Sequence, residues 1–212
     1  MLGIVHEKFA GTRQKSLDMT FTIDDIAGLL DGQLHGENTE ESATAAVAMI
    51  FREGQAELEL LLIQRTINDR DPWSGNLAFP GGRVKQDEAP RLAAERETAE
   101  EIGLLLEEAR FLGRLPDING THLPVSVSCF IYGLPANNPH TMELNYEVQD
   151  AFWIGIDELA VPERHIISSV TFGGEAFEMP AIYIPRPDTP VLWGLTYRLV
   201  MGFLNILRSQ ER

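Results

Sequence analysis

The sequence predicts one layered α/β domain of the α+β kind, built on a mixed sheet. Three observations point there. Short apolar runs bounded by Gly, Pro, Asn and Asp recur along the chain, and only a few stretches carry a helical period. The 212 residues suit one generous core and are too few for two ordinary ones. No repeat or low-complexity tract divides the chain, so strands and helices are expected to share one layered core.

The elements follow in order. Residues 1–18 show no clear period and read as a loose extension, leaving 19–212 as the domain. "FTIDDIAGLLDGQLHG" reads as a short helix with Thr22 as N-cap and Gly32 near its end. "ATAAVAMIF" and "ELELLLIQR" read as two strands around a turn at "REGQ". "TINDRDPWSGNLAFPGGRVKQD" is too irregular for one element and too long for a plain connector, which marks it as a functional loop. A helix follows over about Glu88 to Ile102, with Asp87 as cap, Pro90 in the first turn and Gly103 in the left-handed position after its end. Its expected buried stripe is Leu92, Ala99 and Ile102. "VSVSCFIYGL" and "VQDAFWIGI" read as strands, and "IISSVTFGG" with "EAFEMPAIYI" as a hairpin over Gly173-Gly174. "TPVLWGLTYRLVMGFLNILRSQ" closes the chain as an amphipathic helix, with Thr189 as cap and Pro190 at its first position.

Composition narrows the function. There are 17 Lys plus Arg against 32 Asp plus Glu, a formal net charge of −15. A chain this acidic does not hold nucleic acid by general electrostatics, and an anionic substrate needs local arginines or bound cations. The single cysteine, Cys129, lies in an apolar run and reads as a small core residue, so no internal disulfide forms. No apolar run approaches membrane-spanning length and the start has no signal-peptide core, which gives a cytoplasmic expectation. A homodimer is compatible with all of this.

One stretch breaks local rules. "RETAEEIG" places Glu97, Glu100 and Glu101 within one helical turn and on one side. Like charges at this spacing repel, and the last turn of a helix disfavours negative charge. They fall roughly opposite the expected apolar stripe, so they are expected to face a cleft or solvent. A hard divalent cation such as Mg²⁺ or Mn²⁺ is one reason to keep several carboxylates together; a solvated acidic face is the other.

The surrounding spacing goes further. "GRVKQDEAPRLAAERETAEEIGL" carries Gly82, Glu88, Arg96-Glu97, Glu100-Glu101 and Gly103 at the fixed positions of the Nudix box, with Thr98 in a slot that is usually apolar. The sequence resembles a Nudix hydrolase. The resemblance implies a single-domain α/β/α sandwich around a mixed sheet. It also implies hydrolysis of a nucleoside diphosphate linked to another group, with Mg²⁺ or Mn²⁺ as cofactor. By position it makes Glu97 and Glu101 the main metal ligands and Glu100 a further ligand or a base. The Gly82 carbonyl adds a ligand, and Glu88 and Arg96 support the carboxylates. Glu147, in "NYEVQDAFW", is a second candidate for the base or a surface residue at a strand start.

The upstream loop also resembles the extra signature of the coenzyme A pyrophosphatase branch. Leu61, Leu62, Arg65, Arg70, Phe79, Pro80, Gly81 and Gly82 match it, Ile63 and Thr66 replace its Thr and Ser, and one extra residue falls between Arg70 and Gly75. "LWGLTYRLV" is similar to that branch's closing helix. Arg65 and Arg70 either anchor phosphates or pair with Asp69 and Asp71. Trp73 either stacks on a base or covers the core edge. His122 and His140 read as ordinary loop residues. ADP-ribose, nucleotide sugars or nucleoside triphosphates are the alternative substrates, and a binding module without turnover is the alternative class.

Overall fold

A computed structural model of the protein describes residues 20–31, 43–55, 57–68, 73–120, 124–135 and 141–210. Its helices are α1 (Ile23–Asp31), α2 (Pro90–Ile102), α3 (Ile156–Ala160) and α4 (Gly194–Arg208). Its strands are β1 (Ala45–Glu53), β2 (Leu58–Arg65), β3 (Leu77–Ala78), β4 (Gly81–Arg83), β5 (Arg110–Asn119), β6 (Ser126–Gly133), β7 (Val148–Gly155), β8 (His165–Phe172), β9 (Glu175–Ile182) and β10 (Leu192–Trp193).

Side-chain alternation along the central strands builds the layers. On one face Met49, Phe51, Leu60, Leu62, Cys129 and Ile131 pack with Ile26 and Leu30 of α1 and with Phe203, Leu204 and Leu207 of α4. On the other, Ala48, Ile50, Leu61, Ile63, Phe130 and Tyr132 pack with Ala93, Ala94 and Ile102 of α2. The result is an α/β/α sandwich around a seven-stranded mixed sheet, in which β1 and β6 run parallel and the other pairs antiparallel. Cys129 is fully buried, and burial holds its thiol well above the ordinary range.

The sheet opens where the site lies. β1 pairs with β2 only over Phe51 to Glu53, against Leu60 to Leu58. Beyond that the two strands part, β4 takes the free edge of β1 and β3 takes that of β2. Gly81 and Gly82 thus lie beside Val47 and Ala46, and Pro80 accepts a hydrogen bond from the Ala48 N–H at 2.8 Å. A second, three-stranded sheet joins β8, β9 and β10. Its hairpin turns at Gly173-Gly174, both at positive φ, as the primed two-residue turns require.

The cap and turn expectations hold at several points. The Thr22 hydroxyl accepts from the Asp25 N–H, and Asp25 reaches back to the Thr22 N–H at 2.8 Å, a reciprocal helix start. Gly54 N–H and Glu57 C=O close the β1–β2 turn at 2.9 Å. Gly103 ends α2 at φ 69, and its N–H bonds Ala99.

Other expectations need correction. α2 begins at Pro90 with Ala89 as cap; Asp87 takes a left-handed turn conformation and is not the cap. Leu92 is 57% exposed, and the buried stripe runs through Ala93, Ala94, Thr98, Glu101 and Ile102. Thr98 can fill an apolar slot because its hydroxyl is satisfied by the Ala94 carbonyl at 2.7 Å. Thr189 does not cap α4: Leu192 and Trp193 pair with β9 first, and the helix starts at Gly194. β5 was not anticipated. Its register shifts twice, between Phe111 and Gly113 and between Leu115 and Ile118, which scrambles the alternation a strand normally shows. Residues 1–18, Gly32, Asp69, Arg70, Asp71, His122 and His140 lie outside the described residues.

Candidate active site

The site is assembled where the last turn of α2 meets β4. Gly81 has φ 151, and a Cβ there would lie 2.3 Å from the Ala46 carbonyl oxygen. Only glycine lets β4 press this closely on β1. A Cβ on Gly82 would lie 2.5 Å from the carboxyl carbon of Glu97. The glycine pair therefore leaves room for strand contact on one side and a carboxylate on the other.

The glutamates do not share one environment. The sequence reading sets Glu101 towards a cleft or solvent; its side chain is 2% exposed. One oxygen accepts the Gly81 N–H at 2.9 Å, and the other lies 3.7 Å from the Arg65 guanidinium. Burial pushes its carboxyl up to about 7; the Gly81 N–H and Arg65 pull the other way, and the charges of Glu97 and Glu147 add to the rise. Glu97 is mostly buried, and Glu100 is 53% exposed.

Arg96 holds the rest. Its Nε and Nη2 donate to the two oxygens of Glu88 at 2.8 and 3.0 Å, a bidentate pair. Its Nη1 donates to Glu97 at 2.7 Å and to Glu100 at 3.2 Å, and Nη2 also reaches the Arg83 carbonyl at 3.2 Å. Glu88 in turn accepts the Lys85 N–H at 2.9 Å. Arg96 holds the Glu88 carboxyl well below its ordinary value, at about 2. The charge repulsion evident in the sequence is thus offset by Arg96 at Glu97 and Glu100, while Arg65 lies beside Glu101.

Glu147 lies just before β7. Its N–H donates to the Asn145 side-chain oxygen at 2.7 Å, and its carbonyl accepts the Thr66 N–H at 2.8 Å. Trp73 packs its ring on Phe172, 6.0 Å between centroids, and Phe172 meets Trp193 edge-on. The Trp193 indole N–H donates to Asn76 at 2.9 Å, which ties the loop before β3 to the start of α4.

Among the described residues no three Asp, Glu, His or Cys side chains already converge as a metal set. Arg96 draws Glu97 and Glu100 aside while Glu101 stays on Gly81. The donor chemistry nonetheless fits a hard divalent cation: carboxylate oxygens beside a glycine backbone, in a cradle that a Cβ would fill.

Comparison with known proteins gives the family and the fold. The NUDIX domain model matches residues 42–171. The chain belongs to the NUDIX family. An uncharacterised protein of Schizosaccharomyces pombe is 38% identical over 112 residues, covering 49% of this chain and 34% of that protein. The chain thus spans about a third of that relative's length. An uncharacterised Nudix hydrolase of Citrobacter koseri, NudL, is 26% identical over 189 residues, covering 85% of this chain and 92% of that one. Two solved structures share the fold. A MutT protein from Methanosarcina mazei has a TM-score of 0.50 at 18% identity, covering 83% of this chain and all of that one. A MutT/nudix family protein from Enterococcus faecalis has a TM-score of 0.51 at 15% identity, covering 84% and 67%. Among the described residues no helix is long and apolar enough to cross a membrane.

The glycine cradle yields a direct expectation. Gly82→Ala forces the Glu97 carboxylate aside and lowers kcat at least about tenfold, since small misplacements near reacting atoms are that damaging. Glu97 sits at the end of a flexible side chain, so stability changes by less than about 1 kcal/mol. Steady-state kinetics and thermal unfolding on the same preparation check both halves.

Proposed function

We propose that this protein hydrolyses the pyrophosphate bond of a nucleoside diphosphate derivative, with coenzyme A or a related coenzyme A species as substrate and Mg²⁺ or Mn²⁺ as cofactor. Residues 19–212 form the working unit, because α1 and α4, outside the family match, complete the core beneath the matched strands. The observation that carries the reading is the convergence of Glu97 and Glu101, from one helical turn, on the Gly81–Gly82 backbone. Glu97, Glu101 and the Gly82 carbonyl would hold the cation, with Glu100 joining from the solvent side. Bound there, a divalent ion supplies charge neutralisation for the diphosphate and acidifies water.

The chain's own residues do the rest. Arg96 and Glu88 orient the carboxylates through charge-assisted bonds. Arg65, beside Glu101, and Arg70 anchor the substrate's phosphates. Glu147 accepts the proton of the attacking water at its carboxylate. Glu100 is the competing candidate for that step, but its carboxylate is engaged by Arg96, whereas Glu147 lies close enough to Glu101 for its charge to be felt there, with its backbone fixed and its carboxylate bonded to the exposed Tyr146 hydroxyl.

The coenzyme A preference rests on the signature running from Leu61 to Gly82. The extra residue between Arg70 and Gly75 favours the second reading, a hydrolase of ADP-ribose or another nucleotide. A panel of coenzyme A, dephospho-coenzyme A and ADP-ribose, with Mg²⁺, with Mn²⁺ and with EDTA, separates them. The expected result is metal-dependent cleavage, with coenzyme A giving the highest kcat/KM. ADP-ribose as best substrate selects the second reading. Tight binding without cleavage of any member selects the binding module.

A further inference from the structure

The loop before β7 is fastened to the end of α2 and to the end of β2. The Glu143 N–H donates to the Ile102 carbonyl at 2.9 Å, and the Asn145 N–H donates to the Glu101 carbonyl at 2.9 Å. These carbonyls belong to the helix end, where the last four have no partner within the helix. The Asn145 side-chain oxygen then accepts the Glu147 N–H at 2.7 Å, and the Asn145 carbonyl accepts the Val148 N–H at 3.3 Å. This is an Asx-type turn, in which a side chain replaces a backbone acceptor. The Glu147 carbonyl accepts the Thr66 N–H at 2.8 Å, and the neighbouring Arg65 reaches back to the Glu101 carboxylate at 3.7 Å.

The contacts close a circuit: Glu101, Asn145, Glu147, Thr66 with Arg65, and Glu101 again. It joins a metal-ligand candidate, the proton acceptor and a phosphate anchor. Every link but two runs through backbone groups. The exceptions are the Arg65–Glu101 pair and the Asn145 side chain. Tyr146, between Asn145 and Glu147, is 84% exposed, so packing does not hold this stretch; hydrogen bonds do.

We infer that Asn145 is a positioning residue for the reaction, setting the backbone of Glu147 so that its carboxylate is aimed across Glu101 at the diphosphate. This rests on the reading of Glu147 as proton acceptor. Asn145→Ala removes one side-chain bond and leaves the backbone bonds to Glu101 and Val148 available. It therefore frees the orientation of Glu147 without detaching the loop.

The test is a double-mutant cycle with the better hydrolysed of coenzyme A and ADP-ribose, at millimolar Mg²⁺. Asn145→Ala is expected to lower kcat about tenfold, to leave KM within about twofold and to shift the melting temperature little. Asn145→Ser, whose hydroxyl can accept the same bond in a weaker turn, is expected to recover most of the loss. In a Glu147→Gln background, Asn145→Ala should lower kcat no further, because the group it aims is already disabled. An undiminished kcat in Asn145→Ala overturns the inference. So does a further multiplicative loss in the Glu147→Gln background, or a fall in kcat matched by a rise in KM and a lower melting temperature. If Glu147→Gln itself turns over like wild type, the proton-acceptor reading fails and takes the inference with it. If Glu147→Gln is crippled and Asn145→Ala is normal, only the inference fails.

Discussion

Glu101→Gln lowers kcat at least about a hundredfold and leaves a folded protein that is more stable without metal than the wild type. The activity half follows from charge placement. Glutamine keeps an oxygen for the Gly81 N–H but removes the negative charge from the position best shielded from solvent. Losing one preorganised charged group beside reacting phosphates is worth about 3 kcal/mol, roughly two orders of magnitude. The stability half follows from burial. The carboxyl rises from 4.5 to about 7 in the folded protein, so folding favours its protonated form. A raised carboxylate contributes a penalty that grows as pH climbs from about 4.5 through about 7 and is complete above it. Glutamine carries no such penalty, so metal-free Glu101→Gln unfolds later at pH 8 by about 1–3 kcal/mol, and the gap closes below pH 4.5. Millimolar Mg²⁺ then stabilises the wild type by about 2.7 kcal/mol at a hundred times its dissociation constant, and the variant by much less. Near-normal turnover, or equal stabilisation of both proteins by metal, ends the assignment of Glu101 as a ligand.

That inversion was only half visible in the sequence. The spacing of Arg96, Glu97, Glu100 and Glu101 placed the cluster on one helix, with Gly82 and Glu88 ahead of it and Gly103 at its end. It did not reveal which glutamate is buried. Leu92 looked like the natural inward residue, and the helix instead turns Ala93, Ala94 and Thr98 to the sheet. Small residues let α2 lie close to β1, and that close approach brings Glu101 under Gly81. The strands that read as apolar runs between turn residues, β1, β2 and β6 to β9, were legible; β5 was not, because its two irregularities and Pro116 interrupt the run. The start of α4 was misplaced for a related reason. Thr189-Pro190 has the chemistry of a helix start, but pairing of Leu192 and Trp193 with β9 takes precedence over local preference. The role proposed for Asn145 was not legible, since its side-chain bond to the Glu147 N–H matters only once backbone bonds set the loop before β7 against the end of α2.

Arg96→Ala lowers the stability of the metal-free protein by about 2–3 kcal/mol, the scale of charge-assisted hydrogen bonds in a shielded setting. Glu88 and Glu97 are each less than a fifth exposed on their side chains, so loss of the guanidinium leaves two desolvated carboxylates without their partner. Glu100 is half exposed and contributes little to this loss. Acid titration of stability isolates the cause. The Arg96 bond depresses the folded Glu88 carboxyl from 4.5 to about 2, so its contribution is complete above pH 4.5 and fades as pH falls towards 2. The difference between wild type and Arg96→Ala, measured by denaturant unfolding, therefore shrinks across that window. Metal separates this role from a purely structural one. In the wild type a cation held by Glu97 and Glu100 would compete with Arg96 for them; in the variant it would meet carboxylates released from that guanidinium. Mg²⁺ should stabilise Arg96→Ala by more than it stabilises the wild type, while kcat falls because Glu97 and Glu100 are no longer oriented. A variant that is destabilised to the same extent at pH 3 and pH 8, and that gains no more from metal than the wild type, would show that Arg96 acts by packing of its stem and not by holding the glutamate charges together.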